Sequence, residues 1–318
     1  ALKFCDLLKE NQGYKYTLNH DTDKYPSAIL YGTWSVAFIK KLLLKDNWTD
    51  QIEKNNILDT LNSNRLKNGL FYPKSLNFSS HSKSKEYLQL HCYNYSVGAA
   101  LEIDKTYDFQ SKYMDSFLDF DFLNRWLEQR SLQRPWEESN NIVNVASYLA
   151  TCNDNGHPKA KECLMLMYNW HNSFQNPNTG GFEIFNLTRK NILQSMAGAV
   201  HNFHIHKYLN KPLNYEEIIA NNVIPFLYEG PLSACLSIDF VELACSTINY
   251  LEDTYELEQA LLYHLNQLLL YQNDDGGWYE NPTPTPTIAN GMKEIKASSN
   301  SYSTWFRLCS IAMISITL

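Results

Sequence analysis

Apolar residues recur along this chain with the 3.6-residue period of a half-buried helix almost from one end to the other. The pattern predicts helices over roughly 26–45, 48–62, 85–103, 108–129, 137–152, 157–173, 190–208, 213–227, 238–251, 254–272 and 299–316. Short breaks rich in Asn, Gly and Pro separate them. No sustained alternation of apolar and polar residues predicts a sheet; brief extended pieces are expected at Gly69–Pro73 and Phe182–Phe185. The run Pro282-Thr283-Pro284-Thr285-Pro286 cannot be helical, because each Pro lacks an N–H and disfavours helix in the residue before it. It predicts an extended surface segment, too short to divide the chain. The expectation is a single all-α domain covering residues 1–318.

Three of the breaks resemble one another. They read Asn62-Ser63-Asn64-Arg65-Leu66-Lys67-Asn68-Gly69-Leu70-Phe71, Gln175-Asn176-Pro177-Asn178-Thr179-Gly180-Gly181-Phe182 and Gln272-Asn273-Asp274-Asp275-Gly276-Gly277-Trp278-Tyr279. Each carries amides or acids, then Gly, then an aromatic. Gly takes positive φ cheaply, Asn and Asp satisfy loose backbone groups, and the aromatic folds back onto the preceding helices. The intervals fit two helical hairpins each, so about six hairpins fill the chain.

These turns resemble those of the α/α-toroid proteins, the superfamily of six-hairpin glycosidases, polysaccharide lyases, sugar epimerases, terpenoid cyclases and prenyltransferase β subunits. The turn Gln272–Trp278 is similar to the Q-x-x-x-G-x-W repeat of terpenoid cyclases. The resemblance implies an α/α toroid, a barrel of about six helical hairpins around an aromatic-lined cavity. Its motifs are confined to the turns, which brace helices and perform no chemistry, so the activity is not implied by them.

Composition narrows the partners. Hydrophobic residues make up 44% and charged residues 19%, a globular balance. The 21 Tyr, 15 Phe and 7 Trp supply apolar faces of the kind that line sugar or hydrocarbon sites, though most such rings serve as core. A net charge of −7 with no basic cluster argues against a nucleic-acid partner. The longest apolar stretch, Leu308–Leu318, is interrupted by Ser310, Ser315 and Thr317 and is too short to span a membrane. Seven scattered cysteines without a C-x-x-C pair predict no structural metal site and suit reduced thiols in a cytoplasmic protein. Sequons at Asn47, Asn77, Asn94 and Asn186 point weakly to secretion, which stays open.

Four segments hold candidate chemistry. In Arg134-Pro135-Trp136-Glu137-Glu138-Ser139-Asn140-Asn141, Pro and two acids suit a first helical turn, while Ser139, Asn140 and Asn141 are poor helix formers better explained by a polar cavity wall. Here Trp136 can stack on a sugar, Arg134, Asn140 and Asn141 can bind it, and Glu137 or Glu138 can act as acid or base; a capped, solvated helix start is the plain alternative. Asp239, at an otherwise apolar helix start, is read either as a first-turn cap or as a carboxylate of raised pKa. His201 and His204 share a helix face and His206 points elsewhere; without a completing carboxylate they predict proton transfer or hydrogen bonding, not a metal site. Tyr95, Trp278 and Arg307 complete the candidate binding residues, with Arg307 needing a buried partner or an anionic ligand.

Three functions follow as expectations. The first is a carbohydrate-active enzyme, hydrolase or lyase, needing no cofactor, with Glu138 and Asp239 as the carboxylate pair and Glu137 and His201 in reserve. The second is a terpenoid cyclase or prenyltransferase-like protein holding an isoprenoid against aromatic rings. Against it, Asp119-Phe120-Asp121-Phe122 is only half of the cyclase D-x-D-D motif, and no D-D-x-x-D occurs. The third is a non-catalytic protein that binds a small molecule or oligosaccharide.

Overall fold

The computed structural model describes residues 1–19, 27–72, 85–182, 188–230, 232–280, 288–289, 292–293 and 297–318. The Pro-Thr run and the sequons at Asn77 and Asn186 lie outside the described residues. These fold into twelve α-helices: α1 (Leu2–Leu7), α2 (Ser27–Leu44), α3 (Gln51–Ser63), α4 (Lys85–Ile103), α5 (Phe120–Glu128), α6 (Pro135–Asp154), α7 (Ala160–Phe174), α8 (Arg189–Tyr208), α9 (Glu216–Tyr228), α10 (Ala234–Thr247), α11 (Tyr255–Leu270) and α12 (Ser301–Thr317). The sheet content among them is one antiparallel pairing of β1 (Ile288–Ala289) with β2 (Met292–Lys293). The all-α expectation holds. No helix among the described residues is long and apolar enough to cross a membrane.

Two boundaries differ from the sequence reading, each because of a cap. The helix expected over 108–129 is broken: Asp119, in extended conformation, accepts the backbone N–H of Phe122 at 2.8 Å and starts α5 afresh. Asp119 is therefore a helix cap. The helix expected to begin at 238 begins four residues earlier, where the Ser233 hydroxyl accepts from Leu236 N at 3.3 Å. Asp239 consequently sits in the second turn of α10 and cannot be its cap.

The chain divides into two compact units, each built from separate stretches. One comprises residues 1–109, 231–238 and 265–316; the other comprises 110–230, 239–264 and 317–318.

In the first unit, α2 and α4 run parallel, shown by contacts that advance in step along both helices. Tyr31 meets Cys92 at 3.3 Å, Trp34 stacks on Tyr95 with centroids 4.8 Å apart, and Lys41 reaches Glu102 at 4.0 Å. Helix α12 follows the same direction, with Tyr302 against Trp34 and Trp305 stacked on Phe38 at 4.5 Å. Trp34 is buried at the centre of this aromatic cluster, while Phe38, Tyr95 and Trp305 are half-buried.

The Gly-aromatic turns share one backbone design, and four occur among the described residues. Antiparallel bridges join Lys9 to Tyr14, Arg65 to Phe71 and Gln272 to Trp278 in the first unit, and Gln175 to Phe182 in the second. Each turn contains a left-handed glycine: Gly13 (φ 78°), Gly69 (85°), Gly180 (71°) and Gly276 (87°). The Gln175 and Gln272 side chains donate to the carbonyls of Gly180 and Gly276. A hydroxyl of the next helix then holds the aromatic residue's backbone: Thr33 for Tyr14, Ser195 for Phe182, Thr304 for Trp278.

In the second unit, α6 and α8 pack closely and parallel. A Cβ on Gly198 would lie 2.9 Å from the Pro135 carbonyl, so the missing side chain lets the α8 backbone approach the start of α6. Ser139 meets His201 one turn further on, and Asn153 meets Tyr208 near the far end. Helix α10 runs parallel to α8 in turn, with Asp239 beside His201 and Glu242 beside His204 and Lys207.

Candidate functional site

The second unit brings Trp136, Ser139, His201 and Asp239 together from three helices. Pro135 opens α6 at a position where a missing N–H costs nothing, which sets Trp136 in the first turn and Ser139 at the start of the second. Gly198 draws α8 against that first turn. Thr188 caps α8, its side chain accepting from Asn191 N. With α8 so placed, His201 points Nδ1 at the Ser139 hydroxyl (3.0 Å) and Nε2 at Asp239 Oδ1 (3.9 Å). The Trp136 indole N–H donates to the Asp239 carboxyl. Asp239 Oδ2 is buried and has no partner among the described residues.

Electrostatics split the two carboxylates of α10. Burial and the neighbouring Glu242 charge push the Asp239 carboxyl well above the ordinary range, against the small opposing effect of the Trp136 hydrogen bond. Glu242, one turn along, shares the crowding but faces two cations. His204 Nε2 donates to it at 3.0 Å and Lys207 Nζ at 2.7 Å, which outweighs burial and holds it far below the ordinary range. The same ion pair overcomes desolvation of the ring and raises His204. The face therefore carries one carboxyl pushed up, one carboxylate pulled down and the His201 and His204 rings within two helical turns. A pair of titratable groups driven apart in this way is what acid–base catalysis requires.

The remaining sequence candidates are distributed as follows. Glu138 is engaged by Arg130 at 3.3 Å, itself stacked 4.2 Å from the Trp126 ring, and Glu137 by the exposed Arg134 at 3.7 Å. Asn140 donates to the Trp136 carbonyl at 2.9 Å, and buried Asn141 leaves Oδ1 without a partner among the described residues. Tyr95, Trp278 and Arg307 belong to the other unit. Tyr95 stacks on Trp34, and the Trp278 indole donates to the Leu268 carbonyl at 2.8 Å. Arg307 is fully buried; Nε and Nη2 donate to the carbonyls of Tyr279, Leu232 and Glu280. The Glu280 carboxylate beside it accepts from Ser303 and from the first backbone N–H groups of α10.

Sequence reasoning passed over Glu242 and His171. The signal for Glu242 was present: Asp239-x-x-Glu242 and His201-x-x-His204 have the same spacing, so two parallel helices pair them turn for turn. His171 is buried on α7 and meets His206 Nε2 at 3.1 Å, while His206 Nδ1 donates to the Pro212 carbonyl at 2.9 Å. Burial holds both of these rings below the ordinary imidazole value. No local pattern announces that pairing, since the two histidines lie on different helices.

Among the described residues no group of three or more His, Cys, Asp or Glu side chains is arranged to hold a metal, and none of the seven cysteines is in a disulfide. Comparison with protein-family models, with curated proteins and with solved structures finds no match to this chain.

Proposed function

We propose that the protein is a carbohydrate-active enzyme that works at the Trp136–His201–Asp239 cluster, on an α/α toroid whose even-numbered helices are the inner staves. The parallel run of α12, α2 and α4 in one unit, and of α6, α8 and α10 in the other, supports that architecture. So does the recurrence of the Gly-aromatic turn ahead of α2, α4, α8 and α12. The observation that carries the functional reading is the buried Asp239 carboxyl, its pKa raised by burial and one oxygen unpartnered among the described residues, beside the His201 ring and the Trp136 indole. Asp239 is the acid, His201 the base, and Trp136 the flat apolar surface for a sugar ring.

The separation favours elimination over hydrolysis. Glycosidases space their two carboxyl groups at about 5–5.5 Å or about 6.5–9.5 Å to flank the scissile bond. Asp239 Oδ1 and His201 Nε2 are 3.9 Å apart, a carboxyl–imidazole pair rather than two carboxyls that flank a bond, and the reading places both on one face of the substrate. There His201 removes a proton from carbon while Asp239 protonates the departing glycosidic oxygen; a C–H and a C–O bond break and a C=C bond forms. The test is a panel of oligosaccharides analysed by mass spectrometry. Elimination yields fragments that sum to the parent mass; hydrolysis adds one water. Asp239→Asn and His201→Gln should abolish turnover, whereas Glu138→Gln should spare it; wild-type rates in the first two variants overturn the site.

A second reading has its own support. The stacked rings of Trp34, Tyr95, Phe38 and Trp305 suit a carbocation or isoprenoid chain, and the Gln272–Trp278 turn resembles the cyclase repeat in sequence. Turnover of an isoprenyl diphosphate, with none of any oligosaccharide, selects it.

A further inference from the structure

Ser139 is a poor helix former at the start of the second turn of α6, and it is buried. Its hydroxyl has one proton and two neighbours: the Trp136 carbonyl oxygen at 2.9 Å and His201 Nδ1 at 3.0 Å. A carbonyl oxygen can only accept. Two oxygens at 2.9 Å with no proton between them would repel, so the Ser139 proton lies on the Trp136 side. The Ser139 oxygen then offers His201 a lone pair, and Nδ1 must carry the ring proton to meet it. Nε2 becomes the acceptor nitrogen, and it is the nitrogen that faces Asp239.

We propose that Ser139 is a positioning residue that fixes His201 as the Nδ1–H tautomer, so that its basic nitrogen is presented beside the Asp239 carboxyl. The inference rests on the reading of His201 as the base of the site, but the tautomer itself can be measured without any substrate. The opposite arrangement has a definite chemistry: if Ser139 donated to Nδ1, the N–H would sit on Nε2, and His201 could only donate toward Asp239. That ring could not remove a proton at this place. The short link from Gly198 to His201 makes the contact rigid, because the α8 backbone is already against Pro135 one turn before.

The experiment is long-range proton–nitrogen NMR on the full chain labelled with 15N-histidine, at a pH where His201 is neutral, with His201→Gln assigning the resonance. The wild-type protein should show a protonated, pyrrole-type Nδ1 and a pyridine-type Nε2 for His201. Ser139→Ala should move the ring toward the Nε2–H form, and Ser139→Thr, which keeps the hydroxyl, should restore the wild-type spectrum. A wild-type spectrum with the proton on Nε2 overturns the proposal, whatever the variants do. With a substrate in hand, Ser139→Ala should lower kcat by roughly tenfold to a hundredfold with KM little changed, part of the contribution of a positioned base. Ser139→Thr should recover most of it. If the spectra are as expected and no oligosaccharide is turned over, the carbohydrate reading fails while the tautomer assignment stands.

Discussion

Replacing Asp239 by Asn tests the protonation state on which the site depends. An unfolded aspartate titrates near 3.9, whereas burial and Glu242 place the folded carboxyl well above that. Between the two values the folded protein holds a proton that the unfolded chain has lost. Stability must then fall as pH rises, by up to about 1.4 kcal/mol per pH unit for one full proton. The side chain is 9% exposed, so solvent screening removes little of this. Asn mimics the neutral carboxyl in shape and can still accept from Trp136, but it does not titrate. The two proteins should be nearly equal in stability near pH 4, and the variant should pull ahead above it. Between about pH 4.5 and 6.5 the accumulated difference approaches about 3 kcal/mol if Asp239 stays protonated throughout in the folded state.

Other groups titrate nearby, and their signs can be stated. Glu242 is depressed, so its contribution is present above the ordinary glutamate value and is lost at lower pH, below this window. His204 is raised; its contribution is full below about 6.5 and is lost as pH rises through its folded value. His171 and His206 are depressed, so they cost stability as pH falls below about 6.5. The variant keeps all four, and subtraction removes them. The assay is urea unfolding at half-unit pH steps, followed by far-ultraviolet circular dichroism and tryptophan fluorescence, whose transitions must coincide for one free energy to be read. Parallel stability curves for the two proteins would mean that Asp239 is ionised when folded, and it could not then be the acid.

Three further substitutions probe how the fold holds the site. Gly198→Ala gains up to about 1 kcal/mol in helix propensity yet forces a Cβ against the Pro135 carbonyl at 2.9 Å; a net loss of about 1–3 kcal/mol in urea unfolding is expected, with activity reduced as His201 moves from Ser139. Arg307→Leu should cost about 2–5 kcal/mol in urea unfolding by leaving the carbonyls of Tyr279, Leu232 and Glu280 without their buried donor; a ligand-binding Arg307 would instead show an activity loss at unchanged stability. Gly180→Ala meets Ile219 Cγ1 at 2.3 Å in addition to its positive φ, whereas Gly156→Ala has the same φ problem and open space around it. Thermal melts should show the second losing about 1 kcal/mol and the first clearly more.

The helices were legible because their apolar spacing is regular and their breaks carry Gly and Asn. Most ends fell within a few residues, and the turn at Gly180 was visible as a repeat. The earlier copy at Lys9–Tyr14 escaped notice because the helix before it, α1, is only six residues long and too short for periodicity to reveal. The site was half legible. Asp239 and His201 stood out as polar residues in apolar helices, but their proximity is a property of how α8 and α10 pack. Ser139 stands out in the sequence as a poor helix former that suits a polar wall, but its partner, His201, lies on another helix. Glu138 looked as strong as Asp239 in the sequence; Arg130, which neutralises it, sits in the preceding loop and nothing local marks the pairing.

The raised pKa of Asp239 arises from an uneven distribution of basic side chains along two facing helices. Helix α10 presents two carboxylates one turn apart, and α8 presents His201, His204 and Lys207 along the matching stripe. His204 and Lys207 both reach Glu242, which therefore ionises easily and stays charged. Asp239 receives no cation contact of hydrogen-bond length, lies deeper, and feels the fixed negative charge of Glu242. Desolvation and like charge thus act together on one carboxyl while paired cations relieve the other. The split follows from what each turn of α8 presents: Glu242 meets both His204 and Lys207, whereas the turn facing Asp239 carries His201 at 3.9 Å and no lysine.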